Sequence, residues 1–301
     1  MSAQDRSISC TVCHHHCRLS EGQIGFCRAR KCHAGRILPE NYGHITSIAV
    51  DPVEKKPLAE WHPGCSVLSV GSYGCNMRCP FCQNWQISQM GREDVGWRKV
   101  SPAELIALGL RARRKDPRMV GLAFTYNEPL VGWEYVRDCA MLAHERGLEA
   151  VLVSNGCVNT EVIDQVAPLI DAANIDLKSF SAAYYHRCAG DLDLVKRAIT
   201  RFAKEKGCHL EVTTLIVPHM NDTPEEISKI AAWLASVDSQ IVLHITRFFP
   251  RWKLKGQQAT AVQQIKALAA VAHRSLSHVY TGNCHHILPP YHHGTPLSIN
   301  Y

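Results

Sequence analysis

Apolar residues in this chain recur in short runs. Residues 66–70, 120–125, 150–153, 173–177, 209–217 and 241–245 each have the length and composition of a buried strand. Between them the apolar period lengthens to that of a helix, over 103–114, 131–145, 160–170, 192–206 and 259–272, with a further helix opening at 223. Local signals mark the ends. Ser101 and Pro102 suit the N-cap and first position of one helix. Gly147 suits a C-cap and Gly207 a stop. Thr223, Pro224, Glu225 and Glu226 read as a capping box. A short strand at 279–280 would come last. Strands alternating with helices imply βαβ units and a parallel sheet. Six strands before the short one fall below the eight of a full barrel.

In such folds sites gather at the C-terminal ends of the strands. Polar residues fall there in order: Cys75, Glu128, Asn155, then Asp176 with Lys178, His219 and Arg247. Asp176 and Lys178 alternate along a strand, so both can face the interior.

Residues 1–60 differ from the rest. They hold Cys10, Cys13, Cys17, Cys27 and Cys32, several histidines and few apolar runs. A segment this short and polar needs a metal staple. The chain therefore divides into a Cys-rich metal-binding module (1–60), a main α/β domain (61–283) and a tail (284–301). Cys10, Cys13, Cys17 and Cys27 suit a four-thiolate site, with structural zinc as the first reading and an auxiliary iron–sulfur cluster as the alternative. Cys32 is spare. The tail carries His285, His286, His292 and His293, which could bind metal adventitiously.

Composition narrows the class. The 301 residues are 46% apolar and 20% charged, which excludes disorder. No apolar run approaches the roughly 18 residues of a membrane span, and the polar start shows no secretory signal. The 14 cysteines, grouped at ligand spacings, point to metal in a reducing, cytoplasmic setting rather than to disulfides. The net charge of +6 is modest. Its densest group, Arg111 to Arg118, lies at a predicted helix end where cations favour the dipole, so nucleic acid is not the expected partner. Asn221, a formal glycosylation acceptor, reads as a turn residue.

Cys75, Cys79 and Cys82 stand in the spacing C-x3-C-x2-C. Three closely spaced thiolates can hold three irons of a [4Fe–4S] cube and leave the fourth open. This spacing resembles the radical S-adenosylmethionine (SAM) enzymes, in which the open iron chelates SAM and an electron from the cluster releases a 5′-deoxyadenosyl radical. Phe81 matches the family's aromatic near the adenine. The segments Asp51 to Leu58, Cys82 to Gln89, Phe124 to Pro129, Ser154 to Gly156, Asn174 to Lys178 and His244 to Pro250 carry a closer resemblance, to the radical SAM protein of the AmmeMemoRadiSam system, related to pyruvate formate-lyase activating enzymes.

That resemblance implies a partial (β/α)6 barrel. It implies Glu128 as acceptor for the SAM amino group, Asn155 at its ribose or carboxylate, and Asp176 with Lys178 at SAM or the radical's path. It implies an electron donor such as flavodoxin or ferredoxin, and an unidentified substrate that could be a glycyl-radical partner protein. The competing reading is a zinc-ribbon protein that binds nucleic acid without radical chemistry. His244 is open between a core role and a ligand role, and Asp51 to Leu58 has no evident one.

Overall fold

The computed structural model describes residues 7–284; the histidine tail and its candidate metal site lie outside the described residues. Eight strands form one sheet: β1 (Ser47–Pro52), β2 (Ser66–Gly71), β3 (Met119–Phe124), β4 (Glu149–Ser154), β5 (Ala172–Asp176), β6 (His209–Ile216), β7 (Val242–Arg247) and β8 (Val279–Gly282). Their spatial order is their sequence order. β2 to β8 are parallel, and β1 caps one edge antiparallel to β2. Among the described residues β1 and β8 are the two edges and do not pair with each other, so the sheet is a partial barrel rather than a closed one.

The helices of more than four residues are α1 (Pro102–Lys115), α2 (Trp133–Glu145), α3 (Thr160–Val166), α4 (Ala182–Arg187), α5 (Leu192–Ala203), α6 (Pro224–Val237) and α7 (Val262–Ala272). α1 opens on a full capping box between Ser101 and Glu104. Thr223 caps α6 through the Glu226 N–H. α3 ends at Val166 because Pro168 disfavours helix just before it, and the chain continues as a 3-10 turn. α4, with Ser181 as cap, is too short to show a period and was not expected.

Alternation along the strands divides the core in two. Leu68, Leu122, Leu152, Ile175, Val212 and Ile245 pack with the helices. On the opposite face, Val67, Ala123, Val151 and Ala172 pack around Val53, Leu58 and Trp61. Those last three belong to the connection between β1 and β2, which lies across the inner face as a plug. Asn174 Nδ2 donates to the Pro57 carbonyl at 2.7 Å. Glu211 accepts the Ala59 and Glu60 N–H groups, each at 2.9 Å, while Glu60 takes the Tyr280 hydroxyl at 2.9 Å. Asp51 to Leu58 thus has a structural role in part: Val53, Pro57 and Leu58 hold the plug against the inner face, and Ala59 and Glu60 just beyond carry it to the far edge. His244, paired with Glu211 and stacked on Tyr280, belongs to this network.

Residues 7–40 form two small hairpins, Ile8–Ser9 with Arg18–Leu19 and Arg30–His33 with Arg36–Pro39. They dock behind the loop that follows β2. No helix among the described residues is long and apolar enough to cross a membrane.

Candidate active site

The site starts where β2 ends. Gly74 has φ of +88°, and a Cβ there would meet the Cys27 carbonyl oxygen at 2.5 Å, so only glycine lets the chain turn this closely against the N-terminal segment. Cys75 and Cys79 are buried and Cys82 half-buried. The three thiols are mutual electrostatic neighbours. Burial pushes the Cys75 thiol well above its ordinary range, and Glu128 adds to the effect. Burial also raises Cys82, which the Ser88 hydroxyl at 3.1 Å partly offsets. Cys75 Sγ accepts the Met77 N–H at 3.3 Å, and Cys82 accepts that of Asn84. Such N–H···S bonds favour a thiolate over a thiol, so the donor set fits an iron–sulfur cluster. Among the described residues no three His, Cys, Asp or Glu side chains are grouped to hold a single metal ion. Ligands of separate irons in a cube need not converge on one point.

Glu128 follows β3. It is 2% exposed and accepts from the Ser154 hydroxyl (2.7 Å), the Asn155 N–H (2.7 Å) and the Leu130 N–H (3.0 Å). Burial lifts its pKa to about 7 despite these three bonds. Asn127, beside it, donates to the Tyr73 and Gly74 carbonyls at 3.2 and 3.1 Å, tying this loop to the cysteine loop. Asn155, after β4, donates to Asn76 Oδ1 at 3.0 Å and to Cys75 Sγ at 3.6 Å. At the end of β5, Lys178 bonds Asp176 at 2.6 Å and is an electrostatic neighbour of Cys79 and Cys82. Phe81 is buried with its ring 6.3 Å from that of Tyr184. The structure therefore brings Cys75, Cys79, Cys82, Glu128, Asn155, Asp176 and Lys178 into one connected group. His219 is exposed on another loop, where its N–H bonds Asp222, and Arg247 is tied to the Thr260 carbonyl at 2.6 Å.

Several residues of this group were not singled out in the sequence. Asn76 links Asn155 to the Cys157 carbonyl (2.5 Å). Cys188 hydrogen-bonds Cys79, and its carbonyl accepts the Arg78 N–H at 2.7 Å. Arg78 packs on Phe26 at 4.1 Å from the ring centroid. Asn76 and Arg78 lie inside the cysteine motif, which was a usable signal; Cys157 and Cys188 lie far along the chain and gave none.

The N-terminal cysteines stand directly behind this loop. The Cys75 N–H donates to the Cys27 carbonyl at 3.1 Å, and a His15 ring nitrogen lies 2.8 Å from the Asn76 carbonyl oxygen. Cys13 has Cys10, Cys17 and Cys27 as electrostatic neighbours. Burial pushes Cys13 up to about 12 and Cys27 up to about 11. Against that burial, Cys13 accepts the His15 N–H, Cys27 those of Ala29 and Arg30, and Cys17 that of Phe26 at 3.3 Å.

Known proteins resemble this chain. The family model described as the Radical SAM superfamily matches residues 69–234, more than half of the chain. An uncharacterised protein of Methanocaldococcus jannaschii is 34% identical over 281 residues, covering 93% of this chain and 82% of its own length. The 4-hydroxyphenylacetate decarboxylase activating enzyme of Clostridioides difficile is 26% identical over 116 residues; the match spans 38% of this chain and 37% of that enzyme. Among solved structures, a radical SAM methyltransferase from Sphaerobacter thermophilus superposes with a TM-score of 0.55 at 15% identity, over 73% of this chain and 66% of that one. At that identity the likeness is one of fold.

Proposed function

The chain belongs to the radical SAM superfamily, and from that premise we propose that it is a reductive SAM-cleaving enzyme that abstracts hydrogen from a glycyl-radical partner protein, as an activating enzyme does. Membership favours an enzyme over the zinc-ribbon, nucleic-acid-binding alternative. The observation that carries the proposal is the junction of the cysteine loop with Glu128 and the Asp176–Lys178 pair at the strand ends. A cluster held by Cys75, Cys79 and Cys82 would supply the electron that cleaves SAM.

The protein's own part is placement and exclusion. Glu128, fixed by Ser154, Leu130 and Asn155, keeps a carboxylate face for the SAM ammonium group. Asn155 steadies Cys75 and can read the ribose or carboxylate. Lys178 offsets negative charge beside Cys79, and Phe81 would give the adenine an apolar wall. The plug closes the far end of the barrel, which limits loss of a reactive species to water. Cys10, Cys13, Cys17 and Cys27 hold an auxiliary iron–sulfur cluster in this reading; the structural zinc expected first needs four sulfurs on one point, and among the described residues no such group is formed. Support for the activase version comes from the activating enzymes among its relatives.

Protein reconstituted without oxygen is expected to release 5′-deoxyadenosine slowly with SAM and reductant, and faster with its substrate. Incubation with a panel of glycyl-radical enzymes should give a glycyl signal by electron paramagnetic resonance. No signal from any, with deuterium passing instead from a labelled small molecule to 5′-deoxyadenosine, would overturn the activase version alone. No SAM cleavage with an intact cluster would overturn the enzyme reading.

A further inference from the structure

The segment 247–258, leaving the end of β7, reads Arg-Phe-Phe-Pro-Arg-Trp-Lys-Leu-Lys-Gly-Gln-Gln: four cations, three aromatics and no carboxylate. Arg251, Lys253 and Lys255 are exposed, and Phe249 is 44% exposed. The segment is not a loose loop. The Lys253 N–H donates to the Pro80 carbonyl at 3.1 Å, and Pro80 stands between Cys79 and Cys82. Trp252 stacks on Trp85, just beyond the cysteine motif, with ring centroids 6.4 Å apart and planes within 7°. Gln257 donates to the Pro218 carbonyl at 2.9 Å, and the Arg247 guanidinium lies 4.7 Å from the Phe249 ring centroid. The cations are thus carried on a fixed, partly aromatic surface that touches the backbone between two of the three candidate cluster ligands.

A single-sign patch on an exposed loop repels itself, yet it steers an oppositely charged partner. Its position suits electron delivery. A donor seated here adjoins the cysteine loop itself, through Pro80 and Trp85. Exposed aromatics among cations fit a protein partner with an apolar centre and an acidic rim. We infer that residues 247–258 form the docking surface for an acidic, low-potential flavodoxin-type electron carrier. The step is one electron passing from the reduced flavin to the oxidised cluster. The inference rests on the proposed radical SAM chemistry.

The test uses reconstituted holoprotein with an acidic flavodoxin, reduced to its hydroquinone, as the probe. Cluster bleaching is followed by stopped flow, and binding of the flavodoxin by interferometry, at about 50 and about 500 mM salt. The variant R251E/K253E/K255E should bind and accept electrons about tenfold or more slowly at low salt, with the gap closing at high salt. Reduction by dithionite, which needs no docking surface, should match the parent, and R251K should behave as the parent. Equal flavodoxin rates in parent and charge-reversed protein overturn the inference. So does an equal slowing with dithionite, which would place the effect at the cluster. Wild-type protein that dithionite cannot bleach overturns the cluster reading itself, and the docking surface with it.

Discussion

Glu128 shows how one side chain can serve fold and chemistry together. Its carboxylate caps the turn at Leu130 and grips the Ser154–Asn155 corner, yet burial lifts its pKa to about 7. An acceptor for the SAM ammonium group must be ionised. Lowering the pH below 7 therefore neutralises Glu128 and should weaken SAM binding, approaching about tenfold per pH unit well below that pKa. The variant E128Q should bind SAM more weakly at pH 8 and show a flat profile from pH 6 to 8. Its iron content should equal the parent's, because Glu128 is not a cluster ligand. Calorimetric titration of SAM checks the profile; one that is unchanged in E128Q would confine Glu128 to its capping role.

At the scale of elements, the connection between β1 and β2 does most to close the barrel. Glu211 sits fully buried at the start of β6 and accepts from Ala59, Glu60, His209 and His244. Burial alone would raise its pKa, but the two histidines and two backbone N–H groups prevail and hold it near 2. A carboxyl held below its ordinary 4.5 contributes stability that is fully present above that pH and is lost as the pH falls toward 2. The contribution is about 3 kcal/mol. The variant E211Q should lose about that much at pH 7, with the gap from the parent narrowing by pH 3, measured by urea unfolding. A gap that does not change with pH would mean that packing, not the charge, is what the plug needs.

The same elements mark the limit of what the sequence reveals. The parallel strands were legible because each is a short apolar run between helical stretches. β1 was not, since of Ser47 to Pro52 only Asp51 is buried and the apolar run, Ile48 to Val50, is just three residues long. The motif Asp51 to Leu58 could be noticed but not explained, because its partners Tyr126, on Asp51, and Asn174, on Pro57, lie 75 and 117 residues away. The cysteine triad was legible from spacing alone. Its supports Cys157 and Cys188 were not, as they come to it only through folding.

For the whole molecule, the N-terminal hairpins and the barrel share one seam. The Cys27 carbonyl accepts the Cys75 N–H, His15 meets the Asn76 carbonyl, and Arg78 stacks on Phe26. Every one of these contacts joins an N-terminal cysteine, or a residue within two of one, to the loop carrying the candidate cluster ligands. The hairpins are two to four residues per strand, too short to stand without a staple. A metal at Cys10, Cys13, Cys17 and Cys27 would act as that staple, since binding energy at a site absent from the unfolded chain becomes folding energy. Removing it should therefore be felt on both sides of the seam. The double variant C13S/C27S should lose its N-terminal metal, unfold at a lower temperature, and also take up less iron at Cys75, Cys79 and Cys82. The reverse variant, C75A/C79A/C82A, should lose the cluster while keeping the N-terminal metal, because the hairpins do not depend on those thiols. Zinc and iron per chain, with thermal scans of both proteins, decide the matter. If C13S/C27S kept the parent's full metal content and midpoint, the four N-terminal cysteines would be buried thiols and the seam would be held by hydrogen bonds alone.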